Sequence, residues 1–160
     1  MMKTLDDVVA AVRERPMKTV AVAVAEHESV LGAIKQATEM GIAEAVLVGA
    51  RDEIEPAAEK AGLDLADVAV IDEPSDLGAA ATATELVSSG RADILMKGHL
   101  HTDDFLRAVL DKERGLRTGT IMSHVFLLEA SHLDRLVMVT DGAMNIAPDL
   151  EAKAEIILNV

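Results

Sequence analysis

The feature that most constrains the fold is an alternation of short apolar runs with helical segments. The first run, TVAVAVA, is β-branched at every other position, which is typical of a strand. The predicted strands span residues 19–25, 45–48, 68–71 and 93–96, and the helices between them span 30–40, 51–61 and 74–88. Strands that alternate with helices form βαβ units. The sequence therefore predicts an α/β fold with a mostly parallel sheet and helices on both faces.

Five further elements flank these units. Thr4 is predicted to cap a short helix that Pro16 ends, and Thr102 is predicted to cap the helix marked by Phe105 and Leu110. Two apolar runs, 121–129 and 136–140, follow without a helix between them, which indicates a hairpin or two neighbouring strands. A last helix begins near Leu150 and carries no stop signal before Val160. We therefore expect residues 1–160 to be a single α/β lobe that is cut from a longer protein.

Composition narrows the possible partners. A chain of 160 residues that is half apolar can bury one good core, and its net charge of −13 argues against nucleic acid as a partner. No apolar segment is long enough to cross a membrane, and acids stand near the N-terminus where a signal peptide has an apolar stretch. These features predict a cytoplasmic protein that binds neither nucleic acid nor membrane.

Positive charge is concentrated in residues 97–117. Five Lys or Arg residues stand there against four acids, so this segment carries +1 and the rest of the chain −14. Local cations on an acidic protein favour a small anionic ligand such as a phosphate. The alternative is a solvated helix face with intrahelical pairs, such as Asp103 with Arg107.

The candidate ligands of this anion follow predicted strands, where parallel sheets bind their substrates. Gly98 lets a ligand approach the backbone, and Lys97 is a compact charge for phosphate. Arg107 and Arg117 supply planar, bidentate donors. No GxGxxG or GxxxxGK[ST] motif occurs, so a dinucleotide or Walker site is unsupported.

Three more polar residues lie in the second half of the chain. Ser123, next to His124 in a predicted apolar strand, is a possible donor to phosphate. Asp141 ends the last strand, where it can orient a cation or accept a proton. Asn145 has two possible roles, which are to bind a carbonyl group or to cap the helix after Pro148.

A metal site is an alternative use of His99 and His101. The segment His99-x-His101-x-Asp103-Asp104 partly matches the H-x-H-x-D-H pattern with which metallo-β-lactamase-like hydrolases bind zinc. The final His is Asp104 in this chain, and that fold needs more strands than the sequence predicts. We therefore expect no metal.

The ordered set of motifs resembles the phosphate acetyl/butyryltransferase family, and most closely its phosphate butyryltransferase branch. The segments that carry the resemblance lie within residues 94–160 and are Met96-Lys97-Gly98, His101-Thr102, Phe105-Leu106-Arg107, Gly115-Leu116-Arg117-Thr118-Gly119, Ser123-His124 and Asp141-Gly142-Ala143-Met144-Asn145-Ile146-Ala147-Pro148. The first third of the chain matches more loosely.

The resemblance implies an isocitrate/isopropylmalate-dehydrogenase-like fold, of which this chain is the N-terminal lobe, and a homodimer. It implies transfer of an acyl group between coenzyme A and inorganic phosphate, with acyl-CoA and acyl phosphate as the acyl carriers and no cofactor. Arg107 corresponds to the anion-binding Arg of the family. Lys97, Gly98, Thr102, Arg117, Thr118, Ser123 and Asn145 would line the phosphate side.

The second half of a typical member is absent from these residues. That half carries the base Asp of the family, so Asp141 is only a substitute candidate for the base. A non-catalytic module that binds coenzyme A or phosphate is therefore one alternative function, and a metal-dependent hydrolase that uses His99 and His101 is the other. The acyl chain length stays open.

Overall fold

The computed structural model describes residues 2–130 and 132–160. Within these residues it contains six α-helices: α1 (Leu5–Arg13), α2 (Glu28–Glu39), α3 (Arg51–Ala61), α4 (Asp76–Ser88), α5 (Thr102–Val109) and α6 (Leu150–Leu158). It also contains six strands: β1 (Lys18–Ala23), β2 (Ala43–Gly49), β3 (Ala69–Asp72), β4 (Ile94–Lys97), β5 (Val125–Glu129) and β6 (Leu136–Thr140). The described residues form two compact units, one of residues 15–117 and one of residues 2–14 with 118–130 and 132–160.

Residues 15–117 form the predicted α/β layer structure. Four parallel strands pair in the order β3-β2-β1-β4, so β1 lies in the interior of the sheet. Because all four run the same way, their carboxyl ends meet at one edge of the sheet. The α/β prediction with a parallel sheet is confirmed.

The two faces of β1 build two separate cores. Val20 and Val22 pack with Leu31 of α2 and Ile54 of α3, whereas Ala21 and Ala23 point to the opposite face. On that face they meet Ala79, Ala80, Ala83 and Leu86 of α4. The alternation follows from the two-residue period of a strand, and it places helices on both faces as predicted.

The remaining unit consists of α1, the β5–β6 hairpin and α6. β5 and β6 pair antiparallel, which confirms the hairpin, but the first strand begins at Val125 rather than at residue 121. The prediction that Ser123 and His124 lie in a strand is therefore wrong. The Glu129 carboxylate accepts the Leu5 N–H at 2.8 Å, and this bond ties β5 to α1.

Helix ends match the sequence signals in most places. Thr4 caps α1 through a capping box with Asp7, and Gly62 ends α3 in the left-handed conformation. Two predicted caps are wrong. His101, and not Thr102, is the N-cap residue of α5, and its side chain makes no capping bond. Asp149, and not Asn145, caps α6, because its Oδ1 accepts the Ala152 N–H at 2.9 Å.

Candidate functional site

The turn that leaves β4 is held against the end of β1. The Gly98 N–H donates to the Ala23 carbonyl at 2.8 Å, and the His99 N–H donates to the Val24 carbonyl at 3.0 Å. A Cβ atom on Gly98 would lie 2.0 Å from the Val24 oxygen. Gly98 is therefore required by the close approach of two backbone segments, a reason that the sequence alone did not show.

Val24 itself has a strained backbone. Its φ of 58° lies in the left-handed region, which is a rare conformation for a β-branched residue. Its side chain is 1% exposed, so packing holds the residue in place. In this conformation the Val24 carbonyl accepts the His99 N–H. Strain of this kind concentrates at functional sites, and it marks this edge of the sheet as the place to look for one.

A cleft of about 460 Å³ opens beside this turn. Its lining residues are Asp76, Lys97, Gly98, His99, Leu100 and His101. Lys97 is half-buried, and both sequence candidates of this segment, Lys97 and Gly98, line the cleft. The structure thus brings them together at the carboxyl edge of the sheet.

Arg107 lines a different cavity. That cavity of about 430 Å³ lies between α4 and α5, where Leu77, Thr84 and Asp111 also line it. The Arg107 guanidinium pairs with Asp104 at 3.1 Å, one turn earlier on α5, so the expected partner Asp103 is replaced by its neighbour. Lys97 and Arg107 belong to the same unit but do not line the same cavity.

The other predicted ligands near α5 lie on the surface of this unit. Thr102 is the first residue of α5, and both Thr102 and Arg117 are exposed. Neither lines the Lys97 cleft or the Arg107 cavity. Their proposed contacts with phosphate stay predictions.

In the second unit, Asp141 organises the loop after β6. Its carboxylate accepts the N–H groups of His124 at 3.3 Å, Met144 at 3.1 Å and Asn145 at 2.9 Å, and it also accepts the Asn145 amide. Burial opposes ionisation, but these bonds outweigh it and hold the pKa of Asp141 below its ordinary value. A carboxylate so occupied and so acidic fits a structural role better than that of a proton acceptor.

The neighbouring candidates also make local contacts. The Asn145 amide donates to the Met122 carbonyl at 2.9 Å, which joins the loop after β6 to the segment before β5. The Ser123 hydroxyl accepts a bond from the Asn159 amide at 2.9 Å, and the Thr118 hydroxyl lies 2.9 Å from that of Thr120. The Asn145 amide thus contacts a carbonyl of the protein itself, and its role in binding a substrate stays a prediction.

Two residues that sequence reasoning did not single out stand at the same edge as Lys97. The Glu26 carboxylate accepts the Ala50 N–H at 2.6 Å, and burial raises the pKa of Glu26 above its ordinary value. The His27 ring stacks on His99 with centroids 5.1 Å apart. Their position directly after a predicted strand was the available signal, because strand ends in parallel sheets carry function.

In the described part of the chain, no group of three or more His, Cys, Asp or Glu side chains is arranged to hold a metal ion. His99 stacks on His27, and His101 is exposed. Among residues 2–130 and 132–160, no helix combines the length and the apolar character that a membrane crossing requires.

Comparison with known proteins identifies a family whose model matches this chain. The family model described as phosphate acetyl/butaryl transferase matches residues 3–81 and 75–160, which together cover nearly the whole chain. The chain belongs to this family, and the predicted resemblance is confirmed.

Named relatives agree with the family match. A phosphate butyryltransferase of Clostridium acetobutylicum is 48% identical over 159 residues, which are 99% of this chain and 53% of the relative. A phosphate acetyltransferase of Rhizobium meliloti is 41% identical over 156 residues, which are 96% of this chain and 49% of the relative. The chain spans about half the length of the curated relatives it matches.

A solved structure supports the fold. The branched-chain phosphotransacylase of Enterococcus faecalis superposes with a TM-score of 0.77 at 26% identity, covering 89% of this chain and 49% of that one. The fold is therefore that of the phosphotransacylases.

Proposed function

We propose that this chain supplies one lobe of a two-lobed phosphate acyltransferase of the acetyl or butyryl class. The enzyme would convert acyl-CoA and inorganic phosphate to acyl phosphate and coenzyme A, and the reverse, with no cofactor. The observation that carries the proposal is the 48% identity to a phosphate butyryltransferase over 99% of the chain.

The reaction first requires groups that bind the phosphate anion, and only then groups that donate or remove a proton. A phosphate oxygen attacks the thioester carbonyl, a C–O bond forms, the C–S bond breaks, and the thiolate of coenzyme A takes up a proton. In the reverse direction, a base must remove that proton from the thiol. Lys97 offers positive charge at the edge of the sheet, which supports binding of the phosphate there.

We assign Arg107 to a second anionic contact. Its guanidinium is 68% exposed and has only Asp104 within ion-pair distance among the described residues, so a ligand can reach it. Arg presents two parallel donors to phosphate or to a carbonyl oxygen that becomes negative. Further contacts with the anion are proposed for Arg117, Thr118, Ser123 and Asn145. Asp141 is proposed to order the loop after β6, which carries Asn145.

Cytoplasmic location and a homodimer are part of the same proposal. Both rest on the sequence prediction and the family. Sedimentation of the chain as a species of twice its mass of 16.9 kDa would support the dimer.

A chimera tests the activity. Residues 1–160 replace the matching region of the Clostridium acetobutylicum phosphate butyryltransferase, and release of the coenzyme A thiol from butyryl-CoA and phosphate is followed. We expect turnover, and we expect Arg107→Lys to lower kcat/KM for phosphate about 100-fold, because a lysine cannot make the bidentate contact. The exposed Arg91 is the matched control, and Arg91→Lys should change nothing.

Two outcomes would contradict the proposal. A folded chimera without acyl transfer would favour the non-catalytic module that binds coenzyme A or phosphate. Full activity of Arg107→Lys would remove Arg107 from the site while leaving the acyltransferase assignment in place.

A further inference from the structure

The segment of residues 121–124, which precedes β5, is held in place by side chains from other elements. The Glu155 carboxylate accepts the Ile121 N–H at 2.9 Å, and the Asn159 amide donates to the Ile121 carbonyl at 2.9 Å. At the other end of the segment, the N–H and the carbonyl of His124 both bond to side chains at the end of β6. The backbone on either side of residue 123 is therefore fixed.

The Asn159 amide determines the direction of its hydrogen bond with Ser123. The Ile121 carbonyl can only accept, so the nitrogen of the Asn159 amide, and not its oxygen, must face it. The same nitrogen donates its second hydrogen to the Ser123 Oγ at 2.9 Å. Because an amide N–H can only donate, the Ser123 hydroxyl accepts in this bond and keeps its own proton for another acceptor.

Ser123 has two donors that the protein does not use. Within residues 2–130 and 132–160, neither its O–H nor its N–H donates to another group. The residue is partly exposed, so an acceptor from outside the chain can reach it. Donors that are held in place before a ligand arrives bind an oxygen without the cost of ordering them, which makes Ser123 a candidate ligand contact.

The charges around Ser123 favour a neutral acceptor over a phosphate. Two charged side chains hydrogen-bond residues 121–124, and both are the carboxylates of Asp141 and Glu155. In the part of the chain that the structure describes, no Lys or Arg side chain bonds to this segment. Residues 118–160 contain six acids against two Lys or Arg residues. These carboxylates repel a phosphate dianion, whereas a carbonyl oxygen carries no net charge and accepts from neutral donors.

We propose that Ser123 donates to the acyl carbonyl oxygen of the substrate, and that Asn159 is the positioning residue that leaves the Ser123 O–H free to do so. Asn159 itself touches no substrate and acts through Ser123. The inference deepens the proposed function, on which it rests. It assigns Ser123 to the carbonyl that acyl-CoA and acyl phosphate share, rather than to inorganic phosphate.

Binding of each ligand by itself tests the assignment without turnover. Isothermal titration of the chimera, which contains all of residues 1–160, gives the Kd for butyryl-CoA, for coenzyme A and for inorganic phosphate. Coenzyme A is the matched control ligand, because it lacks only the acyl group. We expect Ser123→Ala to raise the Kd for butyryl-CoA about tenfold, which is the scale of one hydrogen bond, and to leave the other two Kd values unchanged.

Asn159→Asp tests the positioning role, because it reverses the hydrogen bond. A carboxylate can only accept, so it takes up the Ser123 proton, and the Kd for butyryl-CoA should again rise about tenfold. In the Ser123→Ala background the same change should have no further effect on this Kd, whereas an effect of the added charge or of folding would persist there. Asn159→Leu adds no charge and leaves the hydroxyl free to rotate, so a smaller rise is expected that also disappears in the Ser123→Ala background.

The outcomes that would overturn the inference concern the acyl group alone. They are an unchanged Kd for butyryl-CoA in Ser123→Ala, an equal rise for coenzyme A, a rise for phosphate instead, and the absence of butyryl-CoA binding by the parent chimera. Additive effects of Ser123→Ala and Asn159→Asp would also overturn it. Acyl transfer is measured separately, with butyryl-CoA and phosphate together. No turnover, with the expected Kd differences intact, would overturn the proposed function and leave the Ser123 contact standing.

Discussion

Replacement of Gly98 by alanine is the sharpest test of how the candidate site is built. The added Cβ would lie 2.0 Å from the Val24 oxygen, 2.6 Å from the Ala23 oxygen and 2.8 Å from the Val24 carbonyl carbon. All three are backbone atoms at the buried carboxyl end of β1. To restore a separation of 3.0 Å, the turn and β1 must move apart by about 1 Å.

The cost can be worked from the contacts that such a movement breaks. The two backbone bonds, Gly98 to Ala23 and His99 to Val24, contribute about 1 kcal/mol each. Residual overpacking in a dense core costs a further ~1–3 kcal/mol. Gly98→Ala should therefore lower the free energy of unfolding by about 3–5 kcal/mol. At ~2–4 °C for each kcal/mol, Tm should fall by roughly 6 °C or more.

Gly32 provides the matched control. It lies inside α2, and a Cβ there would meet nothing within 4 Å. Gly32→Ala should therefore stabilise the chain by about 0.5–1 kcal/mol, because alanine is the better helix former. Thermal and urea unfolding followed by circular dichroism measure both variants. If Gly98→Ala unfolds within about 1 °C of the parent, the close approach of the turn and β1 is not as described.

Two further changes test other parts of the structure. Burial raises the pKa of Glu26 above its ordinary value, so the folded state keeps its proton to higher pH than the unfolded state does. Stability therefore falls as the pH rises from the ordinary pKa through the raised one. Glu26→Gln removes this loss. The free energy of unfolding of the variant minus that of the parent, measured in urea titrations, should therefore be larger at pH 7 than at pH 4. The exposed Glu59 is the control, and equal differences at both pH values would refute the burial argument. Asp149→Ala removes the α6 cap bond to Ala152 and should cost about 1 kcal/mol, whereas Asp149→Asn keeps an acceptor and should cost less. Indistinguishable urea midpoints for the two Asp149 variants would show that the cap does not stabilise α6.

Several elements were predictable because their signals are local. The β-branched alternation in β1, the capping box at Thr4 and the left-handed Gly62 each depend on residues within a few positions of one another. The parallel sheet was also predictable, since strands that alternate with helices along the chain leave few other arrangements. The motifs of residues 94–160 were sufficient to recognise the family.

Cap positions shifted where two polar residues compete. Thr102 was predicted to cap α5, and a cap of α6 was one of the two roles predicted for Asn145, but His101 and Asp149 hold those positions. Asn145 lies four residues before the cap position of α6, and its amide donates to Asp141 and to the Met122 carbonyl. The competing residues lie within four positions of each other, so local propensity alone did not rank them.

The sequence by itself determined the α/β class, the family and the residue types available for binding an anion. Only the tertiary structure decided how these residues are grouped. Lys97 and Arg107 are ten positions apart, yet they line different cavities because α5 turns Arg107 toward α4. His27 and His99 are far apart in sequence, yet they stack because β1 and β4 are parallel neighbours whose ends meet at one edge. Local patterns encode which elements form, whereas the register of the strands decides which side chains meet.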